Sequence, residues 1–162
     1  MTYDTYLIIT VLGIFIAGLM TPYWLHLIDK KKKWKRPRIK HNKLTKWNWM
    51  VSHPEKLILG DNVDIGAFTY IQAVNGIIIE DDVQIGAHSS IYSKNTIDDT
   101  KGIIHIRRGA RIGAGSVILP IPNRTLTIGT NSVIGALSLV KQSIPSNSIY
   151  AGVPAKPIKE GN

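Results

Sequence analysis

The chain has 162 residues, enough for one domain with a hydrophobic core of its own. It contains no cysteine, which excludes disulfides and thiolate metal sites. The formal net charge of +9 is a local feature, because ten of the 20 Lys and Arg residues lie between Lys30 and Lys46. From Lys56 onward ten basic residues face eight acidic ones, so the main domain gives no indication of a nucleic-acid partner.

An uncharged segment runs from Thr5 to Ile28, 24 residues made mostly of Leu, Ile, Val, Phe and Gly. As a helix rising about 1.5 Å per residue, it would cross the roughly 30 Å hydrocarbon layer of a bilayer. It lacks the preceding positive charge and the following small-residue cleavage site that are typical of a signal peptide. The sequence therefore predicts one transmembrane helix, within an anchor over residues 1–29.

Residues 30–56 form a basic linker, in which eight of the eleven residues from Lys30 to Lys40 are Lys or Arg. Basic flanks stay on the cytoplasmic side of a membrane. We therefore expect a single-pass protein of the plasma membrane with its main domain in the cytoplasm. The same cluster would be attracted to anionic membrane lipids. The cluster is explained equally well as a signal that only sets the membrane topology or as a binding site for a phosphorylated lipid.

A repeat of six residues fills the next part of the chain. Aliphatic residues recur in four triplets with this spacing: Leu59, Ile65, Ile71; Ile79, Ile85, Ile91; Ile106, Ile112, Ile118; and Ile128, Ile134, Val140. A period of six is neither the 3.6 of a helix nor the 2 of a simple strand. It fits a short strand and a turn, three of which close a triangular coil that covers its neighbour. The sequence predicts an all-β parallel β-helix of about four coils over residues 57–145, followed by an extension over residues 146–162.

The repeat and the closing segment "IGALSLVKQSIPSNSIYAGVPAKPIK" resemble the hexapeptide-repeat acyltransferases over about residues 57–159. Members of that family fold as left-handed parallel β-helices, act as homotrimers and transfer acyl groups from coenzyme A. The resemblance implies an acetyl-CoA-dependent O- or N-acetyltransferase that requires no metal. Together with the predicted anchor, it suggests a sugar or lipid-linked saccharide as acceptor, in the biosynthesis of a surface polymer.

The spacing of six breaks at three places, between Ile71 and Ile79, between Ile91 and Ile106, and between Ile118 and Ile128. If each coil has three sides, all three insertions follow the third side and stack at one corner. An alternative phasing would start a strand at Ile97, but the surrounding "NTIDDTKG" favours a loop. We expect a functional loop at that single corner.

The longest insertion follows "IYSKNT", which resembles the active-site segment of the maltose and galactoside acetyltransferases. In those enzymes this segment carries the His that takes the proton from a sugar hydroxyl. Here that position falls on Asn95 or Thr96, and an Asn that they supply one coil earlier falls near Gly66 or Phe68. Their mechanism cannot be transferred residue by residue.

Two histidines of the repeat domain remain as candidate bases. His105 follows the long insertion, so we expect it to return to the corner of that loop, and His88 lies in a turn of the coil. An imidazole is the natural general base near neutral pH. Three possibilities stay open: catalysis by His105, catalysis by His88, or unaided attack by an amine that Asn95 and Asp98 orient.

The resemblance also implies a coenzyme A site, which the family places in a groove between subunits near the last coils. It points to six residues, four for approach of the ligand to the backbone and two for phosphate charge: Gly113, Gly135, Ala136 and Gly152, and Lys141 and Lys156.

Two other functions are compatible with such a coil. A carbonic anhydrase would need three His around a metal, whereas His88 and His105 lie seventeen residues apart with no HxxxxH pair. A catalytically silent membrane scaffold would lack coenzyme A binding, and the absence of the family's His supports it.

Overall fold

The computed structural model describes residues 34–159, and in this part of the chain it shows fifteen β-strands and one short 3₁₀ helix, Pro54–Lys56. The strands are β1 (Met50–Ser52), β2 (Leu57–Leu59), β3 (Asp64–Ile65), β4 (Tyr70–Gln72), β5 (Ile77–Ile79), β6 (Gln84–Ile85), β7 (Ser90–Tyr92), β8 (Ile103–Ile106), β9 (Arg111–Ile112), β10 (Val117–Ile118), β11 (Thr125–Ile128), β12 (Val133–Ile134), β13 (Leu139–Val140), β14 (Ile149–Ala151) and β15 (Lys156–Lys159). The predicted anchor over residues 1–29 lies outside the described residues. Between residues 34 and 159, no helix has the length and hydrophobicity needed to span a bilayer.

The strands form three sheets. Sheet A contains β1, β4, β7, β10 and β13; sheet B contains β2, β5, β8 and β11; sheet C contains β3, β6, β9, β12, β14 and β15. All pairings are parallel except that of β14 with β15. Along the chain the strands visit B, C and A in turn, so every third strand stacks on the last one of its sheet. This topology is a parallel β-helix with three sides per coil, as the spacing of six predicts.

The register of the sheets aligns the predicted aliphatic triplets. Leu59, Ile79, Ile106 and Ile128 pair in sheet B, and the second and third members of each triplet pair in sheets C and A in the same way. All twelve side chains are buried. Burial of one such side chain is worth about 1.5–3 kcal/mol, so this column of aliphatic residues is the main source of the coil's stability.

The three sheets meet at three corners, named here AB, BC and CA after the sheets they join. The insertions at residues 73–76, 93–102 and 119–124 all connect sheet A to sheet B, so they stack at the AB corner as predicted. Ile97 lies in a turn of the longest insertion and is 94% exposed. The alternative phasing with a strand at Ile97 is therefore wrong.

The coil extends beyond residues 57–145 at both ends. Strand β1 pairs with β4, and its Val51 is fully buried. At the other end Ile144 bridges Ile128, and β14 pairs with β12. Trp49 is 3% exposed and closes the first end of the core.

Candidate active site

The predicted site residues lie on different sides of the coil. The CA corner holds His88, Gly113, Gly135, Ala136 and Gly152. Asn95, Asp98 and Lys141 belong to the AB corner. These two corners border sheet A on its two sides. His105 lies on sheet B instead, and Lys156 begins β15 at the edge of sheet C.

The outer face of sheet A is uncharged. None of its strands contains an acidic or basic residue, whereas sheet C carries Asp64 and Arg111. Tyr70 and Tyr92 contact each other edge to face, with ring centroids 5.9 Å apart. Gln72 pairs with Tyr92 in the register, and its Oε1 atom is buried and has no hydrogen-bond partner among the described residues. An unpartnered buried acceptor is costly, so Gln72 lacks a partner that the described residues do not supply.

The long loop at the AB corner is held together by its own polar groups. The backbone N–H of Asn95 donates to the Thr100 carbonyl at 2.8 Å, and Asn95 Oδ1 accepts from the Ile97 N–H at 3.2 Å. Asp99 joins Lys94 and Lys101 at 2.7 and 3.0 Å. Asn95 thus shapes the loop, whatever it does for a substrate.

Asp98 connects the loop to the last coils. Its Oδ1 accepts a hydrogen bond from the Thr100 N–H at 3.0 Å. Hydrogen bonds from the backbone and side chain of Thr100, and to a lesser degree the charge of Lys141, hold the pKa of Asp98 below its usual value. The structure therefore brings Asp98 and Lys141 to the same corner.

His105 is held by Glu80. In β8 its side chain lies on the outer face of sheet B, 19% exposed, with Nε2 2.7 Å from Glu80 Oε1. Glu80 Oε2 accepts from the Arg108 N–H at 2.9 Å. Burial opposes ionisation of Glu80, but the hydrogen bonds from Arg108 and His105 and the charges of His105 and Arg107 together lower its pKa. An ionised Glu80 is an acceptor, so the ring donates from Nε2 and, when neutral, keeps Nδ1 as its basic nitrogen.

The contact with Glu80 turns His105 toward the BC corner. Glu80 follows β5 directly, at the junction with sheet C, while Asn95 and Asp98 belong to the AB corner. The expectation that His105 lies at the corner of the loop is wrong: the chain returns to that corner at Gly102, whereas His105 belongs to β8 and its side chain contacts Glu80.

His88 lies among the predicted coenzyme A residues at the CA corner. It is exposed, adopts a left-handed backbone with φ 58°, and its ring stacks on Phe68 with centroids 5.1 Å apart. On the next coil Gly115 occupies the equivalent turn position, and the Leu137 side chain reaches over it, since a Cβ at Gly115 would lie 2.6 Å from Leu137 Cδ2. In the part of the chain that is described, His88 and His105 are on different sides of the coil, and no group of three potential ligands is placed to hold a metal ion.

The left-handed residues of the BC and CA corners differ in composition. At the BC corner these residues are the types that tolerate a left-handed backbone, namely Asn62, Asp82, Gly109, Asn131 and Asn147. At the CA corner Phe68, His88 and Leu137 adopt the same conformation. Left-handed residues without such tolerance cost about 1–3 kcal/mol and concentrate at functional sites. Backbone preference accounts for His88, since His also tolerates this conformation, but not for Phe68 and Leu137, which favours a binding role for these two side chains.

Three of the residues predicted to bind coenzyme A are glycines, and the structure requires them for two different reasons. A Cβ atom at Gly113 would overlap the backbone of Ala136, and one at Gly135 would lie 2.6 Å from the Ala151 Cβ, so stacking of the coils explains both. Gly152 is required by its φ of +100°, and a Cβ there would have only the Pro154 carbonyl oxygen nearby, at 3.6 Å. Gly152 and the exposed Ala136 are the places where a ligand can approach the backbone.

Four residues of interest were not predicted from the sequence: Tyr70, Gln72, Tyr92 and Glu80. Each directly flanks a buried aliphatic residue of the repeat, so its side chain points outward from a sheet or corner. The repeat alone identifies these positions as outward-facing, because the residues next to an inward-facing residue of a strand point to the opposite face. Their contacts with one another depend on the stacking of coils that are about twenty residues apart.

The chain matches known proteins in its repeats. A family model described as the hexapeptide repeat of succinyl-transferase matches residues 56–93 and 76–120. A galactoside O-acetyltransferase of Escherichia coli (strain K12) is 33% identical over 128 residues, 71% of this chain and 62% of that protein. A dTDP-4-amino-4,6-dideoxy-D-glucose acyltransferase of Escherichia coli is 28% identical over 116 residues, 62% of this chain and 58% of that protein. The chain thus spans about three fifths of the length of these relatives.

Solved structures give the same result. A hexapeptide-repeat containing acetyltransferase from Vibrio cholerae superposes with a TM-score of 0.61 at 25% identity, covering 69% of this chain and 66% of that one. A serine acetyltransferase from Brucella abortus strain S19, in complex with coenzyme A, gives a TM-score of 0.52 at 30% identity, covering 69% and 42%. The repeats, the three-sided coil and these matches support the assignment of the chain to the hexapeptide-repeat acyltransferase family.

Proposed function

We propose that the protein transfers an acetyl group from acetyl-CoA to a hydroxyl or amino group of a saccharide. One observation carries the proposal. The uncharged outer face of sheet A lies between an open backbone edge at Ala136 and Gly152 and a long polar loop at the AB corner. The names of the relatives, which are acyltransferases of sugars, support the same reaction.

The chemistry needs few groups. The oxygen or nitrogen of the acceptor attacks the thioester carbonyl, a C–O or C–N bond forms, the C–S bond breaks, and the acceptor's proton ends on the coenzyme A sulfur. Positioning of the two substrates and N–H donors for the developing oxyanion supply most of the rate. We expect the pantetheine arm to lie along Ala136 and Gly152, with the phosphates near Lys141 and Lys156.

Three routes are open for the proton that leaves the acceptor: through His88, through His105, or without a protein base. His88 lies at the same corner as the proposed pantetheine site. His105 is oriented by Glu80 but lies on another side of its own chain. An amine acceptor needs no base, and then Asn95, Asp98 and Gln72 would only orient it.

A homotrimer with a left-handed coil completes the proposal. Because His105 and the CA corner are on different sides of one chain, a site between subunits is the arrangement in which both could act on one thioester. The anchor over residues 1–29 would hold this trimer at the plasma membrane with its catalytic domain in the cytoplasm, and would favour a lipid-linked saccharide acceptor of surface-polymer biosynthesis.

The full chain in a neutral detergent provides the test. Release of free coenzyme A thiol would be followed with acetyl-CoA and a panel of neutral sugars, amino sugars and lipid-linked saccharides. Thiol release that depends on one acceptor class supports the proposal and separates O- from N-acetylation. A silent scaffold is the second candidate, because the family's His is replaced at Asn95 or Thr96. It would show neither thiol release nor coenzyme A binding.

A further inference from the structure

The segment before β1 folds as a cap over the first coil. The Asn42 N–H donates to the Val51 carbonyl at 2.8 Å, and the Thr45 N–H donates to the Trp49 carbonyl at 2.8 Å. Thr45 and Trp49 are 6% and 3% exposed, so the segment is anchored in the core. The cap, defined as residues 35–49, therefore presents its outward side chains from a fixed backbone.

Those outward side chains form a cationic cavity. It has a volume of about 470 Å³ and is lined by Leu44, Thr45, Trp47 and six basic residues: Lys35, Arg36, Arg38, Lys40, Lys43 and Lys46. The sequence contains no acidic residue from Lys30 to Pro54. Arg36 pairs with Asp61 at 3.0 Å. For the other five cations, the described residues provide no carboxylate partner.

Six like charges around one cavity repel one another, and a bound polyanion would offset that repulsion. Phosphate is the anion best matched to this set, since Arg binds it in a bidentate manner and Lys as a point charge. The volume lies within the roughly 300–1,000 Å³ that is usual for ligand pockets. A monovalent anion would leave most of the charge uncompensated, which favours clustered phosphates.

The cavity also has an apolar edge. Leu44 and Trp47 are 61% and 41% exposed, and the Lys46 ammonium lies 4.9 Å from the centre of the Trp47 ring. Exposed aromatic and aliphatic side chains beside cations suit a ligand that joins phosphate to an apolar part. A phosphorylated headgroup with its lipid chains has this composition.

We propose that the cap is a binding site for clustered phosphate groups, such as a diphosphate or a phosphorylated lipid headgroup. It is separate from the proposed coenzyme A site. The cap covers the first coil, whereas Ala136 and Gly152 belong to the last ones. With strands about 4.8 Å apart, four coils place the two sites about 15–20 Å from each other. Phosphate binding at the cap does not depend on whether the protein transfers an acetyl group.

The experiment measures binding of radiolabelled pyrophosphate to the full chain in a neutral detergent by equilibrium dialysis. The same titration is run on Ala136→Glu, which blocks the proposed coenzyme A site and should bind pyrophosphate as the wild-type protein does. Coenzyme A is left out because its own diphosphate would compete for the cap. We expect saturable binding that weakens as NaCl is raised, since exposed charges are screened. The double variant K40Q/K43Q should bind at least about tenfold more weakly, because each Lys near an anionic group contributes about 1 kcal/mol.

The matched control is R111Q/R124Q, which removes the same charge from two exposed arginines outside the cap. It should bind pyrophosphate within about twofold of the wild-type protein. Equal losses in the two double variants would overturn the proposal, because they would show attraction to net charge only. Absence of saturable binding to the wild-type protein, with both pyrophosphate and lipid, would also overturn it.

A competition arm identifies the source of the phosphate. Mixed micelles that contain cardiolipin, whose headgroup carries two phosphates, are added to the pyrophosphate-bound wild-type protein, with phosphatidylcholine micelles as the neutral control. Displacement of pyrophosphate by the cardiolipin micelles alone assigns the cap to a lipid headgroup. Retention of pyrophosphate under these conditions assigns it to a soluble diphosphate.

Discussion

At the scale of single residues, the contact between His105 and Glu80 decides how His105 is oriented, and His105 was the first candidate for a general base. The sequence places His105 at the corner of the long insertion, but the chain returns to that corner at Gly102 and His105 lies within β8. Its side chain is oriented by the Glu80 carboxylate one coil earlier, 2.7 Å from Nε2. A carboxylate in this position fixes the tautomer and the orientation of an imidazole.

Substitution of the two histidines separates the possible mechanisms. If His105 is the base, His105→Ala should lower the acetylation rate by about 10²-fold or more with little change in coenzyme A binding. Glu80→Gln should cause a smaller loss and shift the pH profile of the rate, because Glu80 acts through the imidazole. A loss in His88→Ala alone would move the base to the CA corner. Full activity in both histidine variants would leave unaided attack by an amine.

The lowered pKa of Glu80 also predicts a pH dependence of stability. A carboxyl group whose pKa is lower in the folded state stabilises the fold above its ordinary value of 4.5, and this contribution is lost as the pH falls through the lower folded value. Chemical denaturation of Glu80→Gln should therefore show a smaller loss of stability below about pH 4.5 than the wild-type protein shows. Identical acid sensitivity of the two proteins would mean that the contacts of Glu80 with Arg108 and His105 do not form in solution.

At the scale of elements, the turn positions decide how closely the coils stack. Each coil leaves sheet C through a glycine, at positions 66, 86, 113 and 135. At Gly113 the missing Cβ leaves room for the backbone of Ala136 on the next coil. The resemblance to known acyltransferases had suggested a ligand as the reason for this glycine, but the neighbouring coil is a sufficient one.

Adding a single methyl group at Gly113 tests whether the stacking of the coils requires a glycine there. Gly113→Ala should lower the free energy of unfolding by about 1–3 kcal/mol, since overpacking displaces backbone that cannot move alone. Denaturant unfolding of the purified protein measures the change, with Ala114→Ser as the control at the exposed position beside it. Wild-type stability of Gly113→Ala would contradict the stacking explanation.

The repeat predicts most of the fold but only part of the site. A strict spacing of six defines the inward column from Leu59 to Val140, and its interruptions locate the AB corner, because an insertion cannot pass through a packed core. Outward contacts such as Tyr70 with Tyr92 or His105 with Glu80 join different coils. They depend on register and rotamers that the spacing does not specify. The cap was also missed as a structure, since residues 41–49 have no repeat and depend on Trp49 entering the core.

At the scale of the whole molecule, one chain leaves the proposed chemistry divided. The long loop at the AB corner and the proposed coenzyme A site at Ala136 and Gly152 border sheet A, whereas His105 lies on sheet B. The strands of sheet A also contain no charged residue, which is typical of a surface that another subunit or a ligand covers. Both observations fit an active site built between subunits.

Assembly is therefore the first prediction at this scale. We expect a homotrimer of the full chain in neutral detergent, measured by light scattering with correction for the detergent. Replacing Tyr92 with Glu would place a charge on the outer face of sheet A and should shift the protein toward monomer. The matched change on sheet C, Gln84→Glu, should leave the trimer intact. A stable wild-type monomer would remove the proposed site between subunits.

The central claim is that the last coils bind coenzyme A for acetyl transfer. Calorimetric titration of coenzyme A into the full chain tests it most directly, with Ala136→Glu as the paired variant. Ala136 is exposed, so the variant should fold normally while its carboxylate repels the ligand's phosphates. We predict saturable binding to the wild-type protein at one site per subunit and binding at least about tenfold weaker in Ala136→Glu. No binding to the wild-type protein, or equal binding to both, would contradict the claim.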